Sequence, residues 1–123
     1  MELKTFKTSN GYEVYYMPEL TYKVKKAVKI ALYKGFTTGP DGKPVFDASV
    51  LISANEAAMK HLVVKIVKSN GEGKEPTVIE GPEKVLECID SFKPEDGEAL
   101  SALIDSIAEV TEEMGKKKEN QKS

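Results

Sequence analysis

Asp47 to Ser69, DASVLISANEAAMKHLVVKIVKS, is the stretch on which the reading of the whole chain turns. Leu51, Ala54, Ala58, Leu62 and Ile66 recur at helical spacing, with Met59, Val63 and Val67 one step along. This gives an apolar stripe wide enough to be covered from two sides. Asn55, Glu56, Lys60, His61, Lys65 and Lys68 fill the opposite arc. Asp47 or Ser49 can cap the first turn, and Asn70-Gly71 supplies a stop. The β-branched density of Val63, Val64, Ile66 and Val67 leaves a strand open for the second half. The spacing outlasts the usual strand length, so one amphipathic helix over 47–69 is the expectation.

Upstream, Leu3 to Tyr16 reads as a β-hairpin turning on Asn10-Gly11, a pair that accepts positive φ. A two-residue turn closed by Ser9 and Tyr12 sets Phe6 opposite Tyr15 and Lys7 opposite Val14. Tyr12, Tyr15 and Tyr16 are then half-buried sheet surface rather than a binding platform. Pro18 opens a second amphipathic helix over about 19–34, with Leu20, Val24, Ala27, Val28, Ala31 and Leu32 inward. Phe36 to Phe46, FTTGPDGKPVF, is loop chemistry, and it lacks the Gly-Lys-Ser/Thr ending of a phosphate-binding loop.

Downstream, NGEGKEP is a polar connection, and Thr77-Val78-Ile79 a short extended segment. A short helix follows over 82–91, burying Val85, Leu86, Ile89 and Cys88. The last helix covers 94–113, with Leu100, Leu103, Ile104, Ile107, Ala108 and Val110 inward and acids in its first turn. Gly115 to Ser123, GKKKENQKS, holds no apolar residue and is expected to be a disordered basic tail. The fold class is therefore α+β, mainly helical: a hairpin over 3–16 and about four helices forming one small domain over 1–114.

A chain of 123 residues with 40% hydrophobic residues can bury one modest core. The sequence has no apolar run long enough to span a bilayer and no signal-peptide pattern at its start, so no membrane partner and a cytoplasmic location are expected. One cysteine and one histidine make a protein-only transition-metal site improbable, and no cofactor or metal is expected. His61 has no serine or cysteine motif around it and reads as a helix-surface residue. Glu95, Asp96 and Glu98 do not have the spacing of a calcium loop. No catalytic residue is identifiable, and the expectation is that the protein is not an enzyme.

The net charge of -2 conceals segregation. Lys23, Lys25, Lys26, Lys29 and Lys34 crowd one predicted helix, while Glu72 to Glu113 is strongly acidic. Lysine stems can cover apolar neighbours while their ammonium groups stay wet. The absence of arginine argues against nucleic acid, since arginine is the preferred residue for bidentate phosphate and guanine contacts.

The layout of residues 56–113 adds a resemblance. An apolar helix ending in LVVKIV leads to a glycine-containing connection, a short helix, an apolar-then-acidic turn and a closing amphipathic helix. This resembles the small tail assembly chaperones of long-tailed bacteriophages, whose chains often begin with an extended segment. In that family the short protein is often extended by a minus-one ribosomal frameshift near its C-terminus. Met114-Gly115-Lys116 can encode the required heptamer, G GGA AAA or G GGA AAG.

The resemblance implies a holding function. Such a protein coats the tape-measure protein, a long helical chain with apolar stripes, and recruits tail-tube subunits in the host cytoplasm without entering the mature virion. Candidate partner-binding residues are Phe36, Val45 and Phe46 in the loop, and Val64 and Val67 on the flank of the central helix. Self-association stays open. So does a different class, a cytosolic helical adaptor or regulator that binds a basic protein through its acidic C-terminal half.

Overall fold

The computed structural model describes residues 2–34, 37–42, 44, 45 and 48–120. It is α+β and mainly helical, with a four-stranded antiparallel sheet. The hairpin consists of β1 (Lys4–Lys7) and β2 (Tyr12–Tyr16). Its register differs by one residue from the expected one: Phe6 faces Val14 and Lys7 faces Glu13. The Thr8 amide donates to the Tyr12 carbonyl at 2.9 Å. The Tyr12 amide in turn donates to the Thr8 hydroxyl at 3.0 Å. The loop thus holds Ser9, Asn10 and Gly11, and within it Gly11 alone takes positive φ, at 92°. A one-residue shift exchanges the faces of a strand. Here it turns Val14 into the core and Tyr15 to the other side of the sheet.

Helix α1 (Tyr22–Lys34) begins three residues later than expected, where the Thr21 hydroxyl accepts the Val24 amide at 3.4 Å. Val24, Val28 and Leu32 form its buried stripe. The loop expected at 36–46 contains a small antiparallel pairing, β3 (Thr37–Thr38) with β4 (Pro44–Val45).

The central stretch is two elements. Helix α2 (Ala48–Leu62) passes directly into strand β5 (Val63–Lys68), which corrects the expectation of one helix to Ser69. The Leu62 carbonyl accepts the Met17 amide at 2.9 Å, so it bonds just beyond β2 where a continuing helix would use its own next turn. From there β5 pairs with β2 on one side and with β6 (Thr77–Glu80) on the other. Ladder bonds on both edges, with β-branched side chains suited to a pleated surface, outweigh the helical spacing.

Strand order is β1-β2-β5-β6, each neighbour antiparallel. Phe6, Val14, Ile66 and Ile79 are successive partners in one row across all four strands. Val14 and Ile66 are fully buried among residues of the helices, which fixes the inner face. Fully burying one such side chain contributes about 1.5–3 kcal/mol. Opposite the Tyr15–Tyr16 step, β5 carries one extra residue, Val64, a bulge.

Helix α3 (Pro82–Asp90) and helix α4 (Pro94–Ala108) follow. Tyr12 and Phe92 pack with their ring centroids 4.9 Å apart and their planes tilted by 40°. Ser9 in the hairpin loop donates its hydroxyl to Asp96 at 2.9 Å, tying the loop to the start of α4. The helix expected over 94–113 breaks at Glu109, which is left-handed at φ 56°, and resumes as α5 (Val110–Asn120). The Asp105 carboxylate accepts the Thr111 amide at 2.8 Å and its hydroxyl at 2.7 Å, satisfying a free donor of the new helix. The segment expected to be disordered from Gly115 is helical as far as Asn120. Glu113 turns back toward Lys29 of α1, 3.8 Å from its ammonium group.

Candidate partner-binding surfaces

The outer face of the sheet follows from the pleat. Residues alternating with the buried row form two further rows, Thr5–Tyr15–Lys65–Glu80 and Lys7–Glu13–Val67–Val78. Val67 is half-buried and Val78 is 51% exposed, so apolar side chains lie beside charged ones. The Tyr15 hydroxyl donates to Glu13 at 2.9 Å. That hydrogen bond, and the carboxylate's charge, raise the tyrosine pKa above its ordinary value. The Lys65 ammonium sits 5.0 Å from the Tyr15 ring centroid. At the hairpin end the face becomes concave, a cavity of about 300 Å³ bounded by Gly11, Glu13, Val67, Ser69, Lys74 and Pro76.

A second surface lies on the helical side. The Asn55 amide donates to the Ser101 carbonyl at 3.1 Å and its oxygen accepts the Ser101 hydroxyl at 3.2 Å, joining α2 to α4. On both sides of this bridge the surface is hollow. One hollow, about 270 Å³, includes Leu51, Glu98, Asp105 and Val110; the other, about 220 Å³, includes Glu56, Met59, Leu86, Ile89 and Asp90. Ile52, 59% exposed, borders both, so they form one groove. Its floor is largely apolar, and among the described residues the charged ones that line it are Glu56, Asp90, Glu98 and Asp105, all acidic.

A third surface is the outward side of α1. Tyr22, Lys23, Lys26, Ile30, Tyr33 and Lys34 are exposed there, and the Lys26 ammonium lies 5.8 Å from the Tyr22 ring centroid.

The sequence-selected residues scatter over this geometry. Val67 belongs to the outer face, and Val64, 42% exposed, is the bulge residue of the same strand rather than the flank of a helix. Val45 is exposed on β4, apart from the sheet. Phe36 and Phe46 lie outside the described residues. Asn55, expected on the solvent side, is buried and bridges two helices. Sequence reasoning missed Val78 and Ile52. Alternation with Ile79 was the available signal for Val78, and for Ile52 it was its place off the stripe of Leu51, Ala54 and Ala58.

Two reactive groups sit elsewhere. Burial raises the Cys88 thiol pKa, and nearby Lys68 partly offsets this. The His61 pKa is lowered, first by partial burial and then by the charges of Lys23 and Lys60. Among the described residues, no three His, Cys, Asp or Glu side chains converge as metal ligands would, and no helix is long and apolar enough to cross a membrane. Comparison with protein families, curated proteins and solved structures gives no match.

Proposed function

We propose that the protein is a holding protein of the phage tail assembly chaperone kind, which keeps the tape-measure protein soluble and brings tail-tube subunits to it. The observation that supports this reading best is the outer sheet face. Its other side already packs helices, and Val67 and Val78 offer apolar contact on the open side, while the bulge residue Val64 is exposed on the same strand as Val67. A partner helix laid across the sheet would bury its apolar stripe there, with Glu13, Lys65 and Glu80 beside it to select orientation. Interleaved charges keep the apolar area small, so the contact is reversible, as replacement by tube subunits requires.

The test is co-expression with a phage tape-measure protein, taken from the genome that encodes this chain where that genome carries one, using Val78→Asp and Val67→Asp variants. The expected result is that wild type retains the tape-measure protein in the soluble fraction and co-purifies with it, whereas the variants do so several-fold less. Equal recovery with folded variants removes the sheet face from the proposal. Failure of wild type to bind removes the proposal itself.

The acidic groove favours a second reading, an adaptor for a basic protein partner. The coding DNA separates the two. A slippery heptamer at Met114 to Lys116, with a minus-one frame leading toward a tape-measure gene, supports the chaperone. Absence of both supports the adaptor.

A further inference from the structure

The outward side of α1 and the groove beside α2 are complementary in both form and charge. Tyr22, Lys26, Ile30 and Tyr33 are spaced by four, four and three residues, so they form one stripe about 16 Å long at 1.5 Å per residue. Lys23 and Lys34 are exposed along one edge of it, and Lys25 flanks the other, where Lys29 is already beside Glu113 of its own chain. Helix α1 contains no acid. The groove has an apolar floor, formed by Leu51, Met59 and Ile89 with Ile52 at its border, and extends about 12 Å along α2 between Leu51 and Met59. Glu56, Asp90, Glu98 and Asp105 line it, and among the described residues no lysine does. Asp105 is engaged with Thr111, which leaves Glu56, Asp90 and Glu98 as the main attraction for ammonium groups.

We propose that these surfaces bind each other between copies of the chain, with α1 of one molecule seated in the α2–α3–α4 groove of the next. Helix-in-groove docking uses apolar anchors at this spacing, and the surrounding charges choose the partner and its direction. Ile30 and the two tyrosines meet the apolar floor, and the lysines meet the acidic lining. The two surfaces differ, so each joined copy keeps one of each, and the assembly closes into a ring or runs on as a filament. The contact uses neither Val67 nor Val78, so it stands or falls separately from the sheet face.

Analytical ultracentrifugation of the full chain tests it, at about 10–200 µM protein. Runs at about 50 mM and about 500 mM salt separate charge attraction from apolar contact. Wild type is expected to sediment above monomer mass at low salt and to shift toward monomer at high salt. Lys23→Glu with Lys26→Glu, and separately Glu56→Lys with Glu98→Lys, should each give monomers. All four positions are exposed, so circular dichroism should show an unchanged fold. An equimolar mixture of the two variants should associate again, because one keeps the groove and the other keeps the helix face. A monomeric wild type at both salts overturns the proposal. So does association of either folded variant alone, or a mixture that stays monomeric.

Discussion

The two faces of the sheet differ by one position along each strand and by almost everything in consequence. Phe6, Val14, Ile66 and Ile79 form the row that meets the helices, while the adjacent row, Lys7, Glu13, Val67 and Val78, has charged residues in β1 and β2 and valines in β5 and β6. Strand β5 shows the contrast within a single step: Ile66 is fully buried and Val67 only half-buried, although both are β-branched and apolar. Side-chain chemistry alone therefore does not assign a role here. Position in the pleat does, and it separates residues that hold the fold from residues available to a partner.

The most severe way to test that separation is truncation on both sides of one strand. Ile66→Ala removes packing from a closed core and should cost about 2–5 kcal/mol in urea unfolding. Val67→Ala should cost under about 1 kcal/mol, because solvent already reaches the site. A comparable loss at both positions would mean that the outer face is as structural as the inner one.

The next largest effect concerns the turn that sets the register. Gly11 at φ 92° occupies a conformation that L side chains rarely adopt, and a Cβ there would meet the Ser69 Cβ at an ordinary 3.7 Å. The expected loss for Gly11→Ala, about 1–2 kcal/mol, is therefore backbone strain rather than collision. The same variant checks the assignment of faces, since a hairpin that relaxed to a two-residue turn would carry Val14 out of the core. Retention of the Phe6–Val14 pairing, read from cross-strand NMR contacts, would show that the buried row rather than the turn holds the register.

These elements also mark where the sequence was legible. The hairpin, α1, the extended segment near Thr77 and α3 follow from apolar period and turn residues close at hand. The register did not, because Asn10-Gly11 signals a two-residue turn while the Thr8 hydroxyl, bonded to the Tyr12 amide, makes a three-residue loop. The junction after Leu62 was ambiguous for a physical reason: Val63, Val64, Ile66 and Val67 satisfy helix and strand spacing alike. The arbiters are β2 and β6, partners distant in sequence. The break at Glu109 carries no glycine, asparagine or proline to announce it, and depends on Asp105 reaching across to Thr111. Of the candidate surfaces, Val64 and Val67 were found on the premise of a helix, whereas the groove depends on how α2, α3 and α4 come together.

That dependence separates two carboxylates on one groove. Asp105→Ala removes the acceptor of the Thr111 amide and should cost about 1 kcal/mol, the usual loss of a helix cap. Glu98→Ala, at an exposed position lining the same groove, should stay within about 0.5 kcal/mol of wild type. Chemical denaturation of both would show which acid belongs to the fold and which is available to bind.

The smallest expected effect lies between the covered and open classes, at His61. Partial burial and the charges of Lys23 and Lys60 hold its pKa below the ordinary 6.5. The unfolded chain therefore binds more protons than the folded one as pH falls below the ordinary value, and stability rises with pH across that window. Moving from pH 7.5 toward 5.5 should lower Tm slightly. The decline should level off once pH has passed the depressed folded value. Carboxylates begin to titrate in the lower part of this range, so the informative quantity is the difference between wild type and His61→Gln. The variant should show the shallower decline. Lys23→Ala should fall between them, because it removes one charge but leaves the larger cause, partial burial, in place. Identical profiles for all three chains would place His61 with the fully open residues, whose protonation the fold does not sense.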